Sequence, residues 1–476
     1  MNILHVSAEC YPLAKVGGLA DVVGALPKFQ QKENSRVSVC LPCYDTPVIR
    51  DHTKEKIFEG TVSLGMLKVR FEVVTLPDFT DFEVFLVVLP GMFDREEVYA
   101  YPDDVERFTT FQIAVVKWLL DHSHRPDIIH CHDHHTGLIP FFITRSHAFT
   151  SLSDIPTVLT IHNAQYQGNF GYDKLYYIPD FDPAHTGLLD WSGQINPLAT
   201  GIKCAWKVTT VSPSYMEELR YAANGLEGLL QHEKNKTQGI LNGIDTDVWN
   251  PATDTMLISN YSLQTLKKGK HKNKKYLCEE FGLDEDLPLF IFIGRLVYEK
   301  GADLLPDIIS ETFKKFKASV NLLILGSGNE EIASRLEAHT SSFPGYYNTY
   351  VGYNERLSRI MYAGADFLLM PSRVEPCGLN QMYALRYGTI PIVRRTGGLR
   401  DTIIDVGDPG GFGICHDQAS VEDVCYSIAR AVTLYNHKKQ FEELRRRIMK
   451  INHSWEQTAR HYQNLYNSLK IHSHEE

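Results

Sequence analysis

The feature that most constrains the fold is a recurring unit: a short apolar run, a glycine-bearing loop, then a helical pattern. Residues 2–8 run into Lys15-Val16-Gly17-Gly18-Leu19-Ala20-Asp21-Val22, with a helical pattern over 19–29. Residues 289–293 run into Gly294-Arg295 and Glu299-Lys300-Gly301, ahead of a helix over 302–313. Residues 321–325 lead to Gly326-Ser327-Gly328, and 390–393 to Thr396-Gly397-Gly398-Leu399. Residues 366–370 lead to Pro371-Ser372-Arg373-Val374-Glu375-Pro376-Cys377-Gly378, with a helical pattern from 379 to 388. Runs apolar at every position read as strands covered on both faces, and such strands are joined in parallel through helices. The expected class is α/β, with two Rossmann-like doubly wound domains and a cleft between them. Open parallel sheets bind ligands at the carboxyl ends of their strands, where these loops fall.

A more alternating stretch over 56–89 reads as hairpins, and 108–122 as a helix. Asn250-Pro251, a Ser/Thr/Asp-rich run and a basic stretch at 267–275 mark the domain boundary, the basic stretch reading as the solvated start of a helix. The division expected is 1–245, 246–455 and a last amphipathic helix over 456–476 that packs back on the first domain. A formal charge of −10 over 476 residues argues against a nucleic-acid or anionic-membrane surface. No apolar run is long enough to span a bilayer, and residue 2 opens a strand pattern rather than a leader. The nine scattered cysteines read as reduced thiols, so the expected location is cytoplasmic.

Several polar residues sit just past strand ends. His130, His132, His134 and His135 surround Cys131, but the spacing matches neither HExxH nor paired CxxC, and alternate positions on an extended chain point opposite ways. No metal site is expected there, and Asp133 is the candidate sugar ligand. Residues 157–161 run into His162-Asn163-Ala164-Gln165-Tyr166-Gln167-Gly168. Lys15 beside Gly17-Gly18 suits an anion, although the loop is neither GxGxxG nor a P-loop. Arg295 and Lys300 flank a strand–helix turn, as a diphosphate requires both for binding and as a leaving group. Tyr353 can stack on a base. Glu375 can accept from sugar hydroxyls, and Gly378 lets backbone approach a ligand closely. Nothing in these strand-end loops resembles Mg²⁺ ligation by a DxD pair, so positive side chains would have to do a metal's work. From residue types the reading is a nucleotide-sugar transferase or a similar phosphate-binding α/β enzyme.

Taken in order, these motifs resemble bacterial glycogen synthases and plant starch synthases, retaining glycosyltransferases of family five with the GT-B fold. The resemblance runs nearly the full length. It rests on the Lys15 to Val22 loop, His162-Asn163 with Tyr166-Gln167-Gly168, Asn242-Gly243-Ile244-Asp245, Gly294-Arg295-Leu296 with Lys300-Gly301, Glu375 to Leu379, and Arg394-Arg395-Thr396-Gly397-Gly398-Leu399. It implies glucosyl transfer from ADP-glucose to the non-reducing end of an α-1,4-glucan, retaining and metal-independent, with no cofactor because ADP-glucose is a substrate. It implies an acceptor-side first domain and a nucleotide-sugar-binding second domain; with the phosphate clamp in the second half and His162 in the first, the halves are expected to close about a hinge near 243–251 and at the tail helix.

By the same resemblance, His162, Arg295, Lys300 and Glu375 are the catalytic set. Lys15, Gly17, Gly18, Asn242, Gly294, Tyr353, Cys377, Gly378, Leu379 and Asn380 are on the nucleotide-sugar side. Asp133, Tyr166 and Gln167 are on the acceptor side. Two residues depart from the family pattern: Asn380 stands where Thr or Ser is usual, and His134 where Trp is commoner. Alternatives are a related GT-B transferase using UDP-glucose or another acceptor, and a non-catalytic glucan-binding scaffold. Neither nucleic acid nor membrane is an expected partner.

Overall fold

A computed structural model describes the backbone of residues 1–33, 35–95, 97–121 and 125–472, with side chains through 470. The chain forms two compact units, Met1–Asn242 with Trp455–Glu476, and Gly243–Ser454. The first boundary thus falls at 242/243, where the sequence reading put it at 245/246.

The strands of the first unit are β1 (Asn2–Val6), β2 (Arg36–Pro42), β3 (Glu55–Leu64), β4 (Leu67–Thr75), β5 (Glu83–Val88), β6 (Ile128–His132), β7 (Thr157–Ile161), β8 (Asp190–Trp191), β9 (Gln194–Ile195), β10 (Lys207–Thr210) and β11 (Thr237–Gly239). Among the described residues nine of them form one sheet in the order β11-β10-β7-β6-β1-β2-β5-β4-β3, and β8 pairs with β9 apart from it. β3, β4 and β5 are joined antiparallel, as the alternation over 56–89 predicts. The other neighbours in the large sheet are parallel. Strand order reverses between β1 and β6, which opens a crevice at their carboxyl ends. The helix read over 108–122 is Asp104–Asp121, and residue 122 lies outside the described residues.

The helix Trp455–His472 belongs to this first unit. Trp455, Ala459, Tyr462, Tyr466 and Leu469 are buried at spacings of four and three, a single apolar stripe. That stripe packs with Ile3, Val37, Ile128 and Val158 of the sheet and with Val22, Leu26 and Phe29 of the helix Gly18–Lys32. Residues 473–476 of the expected last helix lie outside the described residues.

The second unit holds β12 (Leu289–Leu296), β13 (Asn321–Gly328), β14 (Tyr347–Val351), β15 (Phe367–Met370), β16 (Ile390–Arg394) and β17 (Ile414–His416). They form a parallel sheet ordered β14-β13-β12-β15-β16-β17, with the reversal between β12 and β15. Residues 294–296 and 326–328, read as loop, continue the β12–β13 ladder to Leu296↔Gly328. Glycine permits this, because a Cβ on Gly326 would stand 2.6 Å from the Gly294 carbonyl oxygen.

The basic stretch at 267–275 also differs from its solvated reading. It lies in the helix Leu266–Phe281, and the i, i+4 pair Lys270 and Lys274 points inward. Lys270, 2% exposed, donates to the carbonyls of Tyr362 and Tyr387 and to Thr389 Oγ1. Lys274 donates to Asp366 at 2.9 Å, and Asp366 also accepts from the Leu289 N–H and pairs with Arg445. Burial opposes ionisation of Asp366, but Lys274, Arg445 and the Leu289 N–H hold its carboxyl below the usual range. One carboxylate therefore ties two helices to the first strand of the sheet. Replacing Asp366 with Ala is expected to lower the stability of this unit by about 3–5 kcal/mol, since two buried cations lose their counter-charge. Urea-unfolding midpoints measure this, and a change under about 1 kcal/mol would show that the cations find other partners.

Candidate active site

In the first unit the crevice between β1 and β6 gathers the polar loops. β6 ends at His132, and Asp133 then takes φ 55°, ψ −172°, a region that side-chain-bearing residues rarely enter. This turn directs the Asp133 carboxylate at the end of β7, where Oδ1 accepts the His162 N–H at 2.7 Å. Burial pushes the Asp133 carboxyl up to about 7, against the backbone donors of His162 and Asn163, and nearby Glu9 adds to the rise.

Glu9 is itself buried. Its Oε2 accepts from the N–H groups of Val16 and Gly17 at 2.6 and 2.8 Å, and its Oε1 from Tyr99 at 2.7 Å. Glu9 thus sets the shape of the Lys15 loop. A Cβ on Gly17 or Gly18 would meet no atom within 4 Å, so those glycines leave an open face. Lys15 is partly exposed and paired with Asp21 at 2.6 Å.

The histidines divide into two groups. His134 and His135 stack on each other, and Gly168 lies so close to His134 that a Cβ there would stand 2.3 Å from its ring. His134 is the wall that supports the 166–168 loop. On that loop the Tyr166 ring is exposed, whereas the Gln167 amide is committed to Ala164, Asn224 and Asn196. Asn242 is buried, and its Oδ1 has no partner among the described residues.

His130 and His132 point the other way, into the core, and meet His5, a residue the local spacing argument did not include. The three rings offer nitrogens within 4.8 Å of one another. Hydrogen bonds take up this arrangement. His5 Nδ1 lies 2.9 Å from His132 Nε2, His5 Nε2 is 2.8 Å from Gln30 Oε1, and His130 Nδ1 is 2.6 Å from the Tyr466 hydroxyl. Two nitrogens bound to one zinc at about 2.0–2.1 Å would stand about 3.3–3.4 Å apart. The His5–His132 distance is instead that of a shared proton.

In the second unit the β12–β15 crevice is lined by the loops following those two strands. Glu375 is 5% exposed. Lys300 Nζ donates to its Oε1 at 2.5 Å and Ser372 to its Oε2 at 2.9 Å. Glycines allow the surrounding loops to meet. At Gly397 (φ +44°) a Cβ would stand 2.0 Å from the Glu375 carbonyl oxygen, and at Gly301 (φ +69°) 2.3 Å from that of Pro371. Arg373 and Val374 donate their N–H groups to the Glu299 carbonyl, and the Arg373 guanidinium grips Asp303. Lys300 and Glu375 are thereby fixed by the loops that carry them.

Arg295 is exposed and makes no side-chain hydrogen bond or ion pair among the described residues. Gly294 pairs with Gly326 of β13, and a Cβ there would meet only the Phe292 ring, at 3.6 Å. Tyr353, after Gly352, is 84% exposed. Cys377 is buried, and Gly378 (φ +74°) and Leu379 lead into the helix Asn380–Arg386. The Asn380 amide donates to the Ile293 carbonyl at 2.7 Å, so this residue ties the loop to β12. The sequence reading missed Glu9, Tyr99, His5, Gln30 and Tyr466. The only local hint is an acid at position 9 just before the glycine loop; the rest become visible only when distant strands are laid side by side.

With this geometry established, the relatives are informative. Residues 2–232 match the family model for the starch synthase catalytic domain, and 274–448 that for glycosyl transferases group 1. The chain is 55% identical to a glycogen synthase of Flavobacterium johnsoniae over 98% of this chain and 99% of that one. It is 37% identical to a glycogen synthase of Bacillus anthracis, over 98% and 100%. The catalytic domain of starch synthase IV from Arabidopsis thaliana, solved with ADP and acarbose, superposes with a TM-score of 0.87 at 32% identity, over 98% of this chain and 99% of that one. No helix among the described residues is long and apolar enough to cross a membrane. Two Rossmann-like units, each with its polar residues at a strand-order reversal, and these full-length likenesses lead to one conclusion: the chain belongs to the glycogen and starch synthase family of glycosyltransferases and has the GT-B fold.

Proposed function

We propose that the protein transfers the glucosyl group of ADP-glucose to the non-reducing end of an α-1,4-glucan with retention at the anomeric carbon. The observation that carries this reading is the Lys300–Glu375 pair at the β12–β15 crevice, together with an uncommitted Arg295 near the end of β12. An ammonium has three donors, so Lys300 can keep Glu375 and also take a diphosphate oxygen. Arg295 supplies a planar fork for the same anion. Together the two cations stabilise the diphosphate as the glycosidic bond breaks, the charge work that a divalent ion performs in other transferases. Glu375 orients the sugar through its hydroxyls. The acceptor hydroxyl attacks the same face that the diphosphate leaves, and the departing phosphate takes its proton.

The second unit is the nucleotide-sugar side. The exposed Tyr353 ring stacks on the base. Gly294, Gly378 and the Cys377–Leu379 backbone let the phosphates and sugar approach, with Asn380 holding that loop to β12. The first unit is the acceptor side, with Asp133 and Tyr166 for glucan hydroxyls and rings, Gln167 shaping their loop, and His162 beside the reacting sugar. Lys15, Gly17 and Gly18 form an open loop suited to the donor phosphates, and Asn242 offers a buried acceptor atom. The choice of adenine follows the starch synthase relative solved with ADP. We infer a cytoplasmic reaction from nine cysteines that are all free thiols.

The direct test is incubation with labelled ADP-glucose and glycogen. Incorporation into glycogen is expected, with UDP-glucose a weak competitor; no incorporation from either donor would overturn the reading. Lys300→Ala is expected to lower kcat/KM by about 10²-fold or more, the scale of a lost transition-state donor. An unchanged value would remove Lys300 from the chemistry.

Asp133 adds a pH dependence. Its carboxyl titrates at about 7, so the native state holds that proton more tightly than the unfolded chain does. Ionisation therefore lowers stability as pH rises from the ordinary carboxylate range toward 7. An activity that needs the carboxylate is lost as pH falls through about 7. The kcat/KM profile is expected to show this inflection in the wild type and to lose it in Asp133→Asn; the same inflection in both would exclude Asp133 as its source.

A further inference from the structure

The core of the first unit contains a line of hydrogen bonds that ends at the candidate catalytic histidine. His162 Nε2 is 3.0 Å from His132 Nδ1, His132 Nε2 is 2.9 Å from His5 Nδ1, and His5 Nε2 is 2.8 Å from Gln30 Oε1. His5, His132 and Gln30 are fully buried. At its other end the Gln30 amide donates from Nε2 to the Tyr466 hydroxyl at 3.1 Å. Tyr466 in turn meets His130 Nδ1 at 2.6 Å, and His130 Nε2 meets Thr160 Oγ1 at 2.6 Å.

The direction of the line follows from proton counting. An amide oxygen only accepts, so His5 Nε2 carries the proton. A neutral ring carries one proton, so His5 Nδ1 accepts and His132 Nε2 donates. By the same step His132 Nδ1 accepts and His162 Nε2 donates. Burial holds the His5 and His162 rings down to about 4 and about 3, and His132 well below its ordinary value, so each ring is neutral near pH 7. In so dry an environment each bond also polarises the next.

We propose that Gln30 is a positioning residue for glucosyl transfer: through His5 and His132 it fixes the His162 ring as the Nε2–H tautomer, leaving Nδ1 a bare hydrogen-bond acceptor for a hydroxyl of the reacting sugar. This rests on the reading that places His162 beside that sugar. Gln30 lies in the helix Gly18–Lys32 and acts on the site only through the two intervening rings. An acceptor at Nδ1 takes the proton of an OH group, whereas a ring with the opposite tautomer would present its N–H there and leave Nε2 bare.

The test uses the full-length protein with ¹⁵N-labelled histidine. Long-range proton–nitrogen spectra distinguish the two tautomers, and comparison with His162→Asn identifies the His162 signals. The wild type is expected to show His162 protonated at Nε2 and bare at Nδ1; the reverse overturns the proposal without any activity measurement. Gln30→Leu removes the terminal acceptor. It is expected to leave the melting temperature within a few degrees, to mix the His162 tautomers, and to lower kcat about tenfold with little change in the acceptor KM, the scale of one misplaced hydrogen bond. Gln30→Glu keeps an oxygen facing His5 and is expected to restore both the Nε2–H signature and most of kcat. An unchanged tautomer and an unchanged kcat in Gln30→Leu would overturn the proposal. A loss that Gln30→Glu fails to recover, with the wild-type tautomer retained, would do the same and mark Gln30 as a packing residue. A wild type with the expected tautomer but no glucosyl transfer would sink the proposed reaction and leave the proton ordering standing.

Discussion

A buried carboxylate is tolerated only where its partners are held in place, and the second unit is arranged around one such group. Glu375 has a lysine on one oxygen and a serine on the other, and each comes from a loop fixed by backbone contact. Gly301 lets the Lys300 turn lie against Pro371, and Gly397 lets the loop after β16 lie against Glu375 itself. With side chains at those positions the loops would separate, and lysine and carboxylate with them. The strand-order reversal between β12 and β15 supplies the crevice; the glycines supply the close approach that makes it a site.

The first unit meets a similar need by a different device. Asp133 is held in a strained backbone conformation, and the reward is a carboxylate aimed at the N–H of the residue just past the end of β7. Strain, burial and a raised proton affinity occur together at one residue, a coincidence more common at working sites than elsewhere. Glu9 takes the neighbouring loop in hand through two backbone donors, so both polar loops of the crevice are set by acids rather than by packing alone.

Much of this was legible from the sequence because parallel strands covered on both faces announce themselves as unbroken apolar runs. The loops after those runs carried nearly all the candidate residues. What was not legible depends on direction and depth. The histidines at 130 and 132 were read only with their neighbours in the chain, since nothing local indicates that β1 lies beside β6 and brings His5 between them. Lys270 and Lys274 sit in a run of basic residues whose composition reads as solvated, yet a four-residue spacing turns both inward. The extension of β12 through Arg295 was missed because glycines read as loop, while here they allow two strands to stay close. Gln167 reads as an acceptor ligand, and nothing local indicates that its amide also meets the distant Asn196 and Asn224.

The helix Trp455–His472 lies at the far end of the chain from the sheet it covers. It brings Tyr466 to Gln30 and His130, and its apolar stripe closes the face over β1, β2, β6 and β7. During synthesis the first unit therefore emerges early but has an open face, with polar groups in its core that lack a partner until the last segment arrives. The second unit has its whole sheet in one continuous stretch and needs no such wait. The unit whose sheet precedes the other is thus completed after it, and a ribosome that stops short of residue 455 releases a chain whose candidate catalytic histidine sits above an unfinished core.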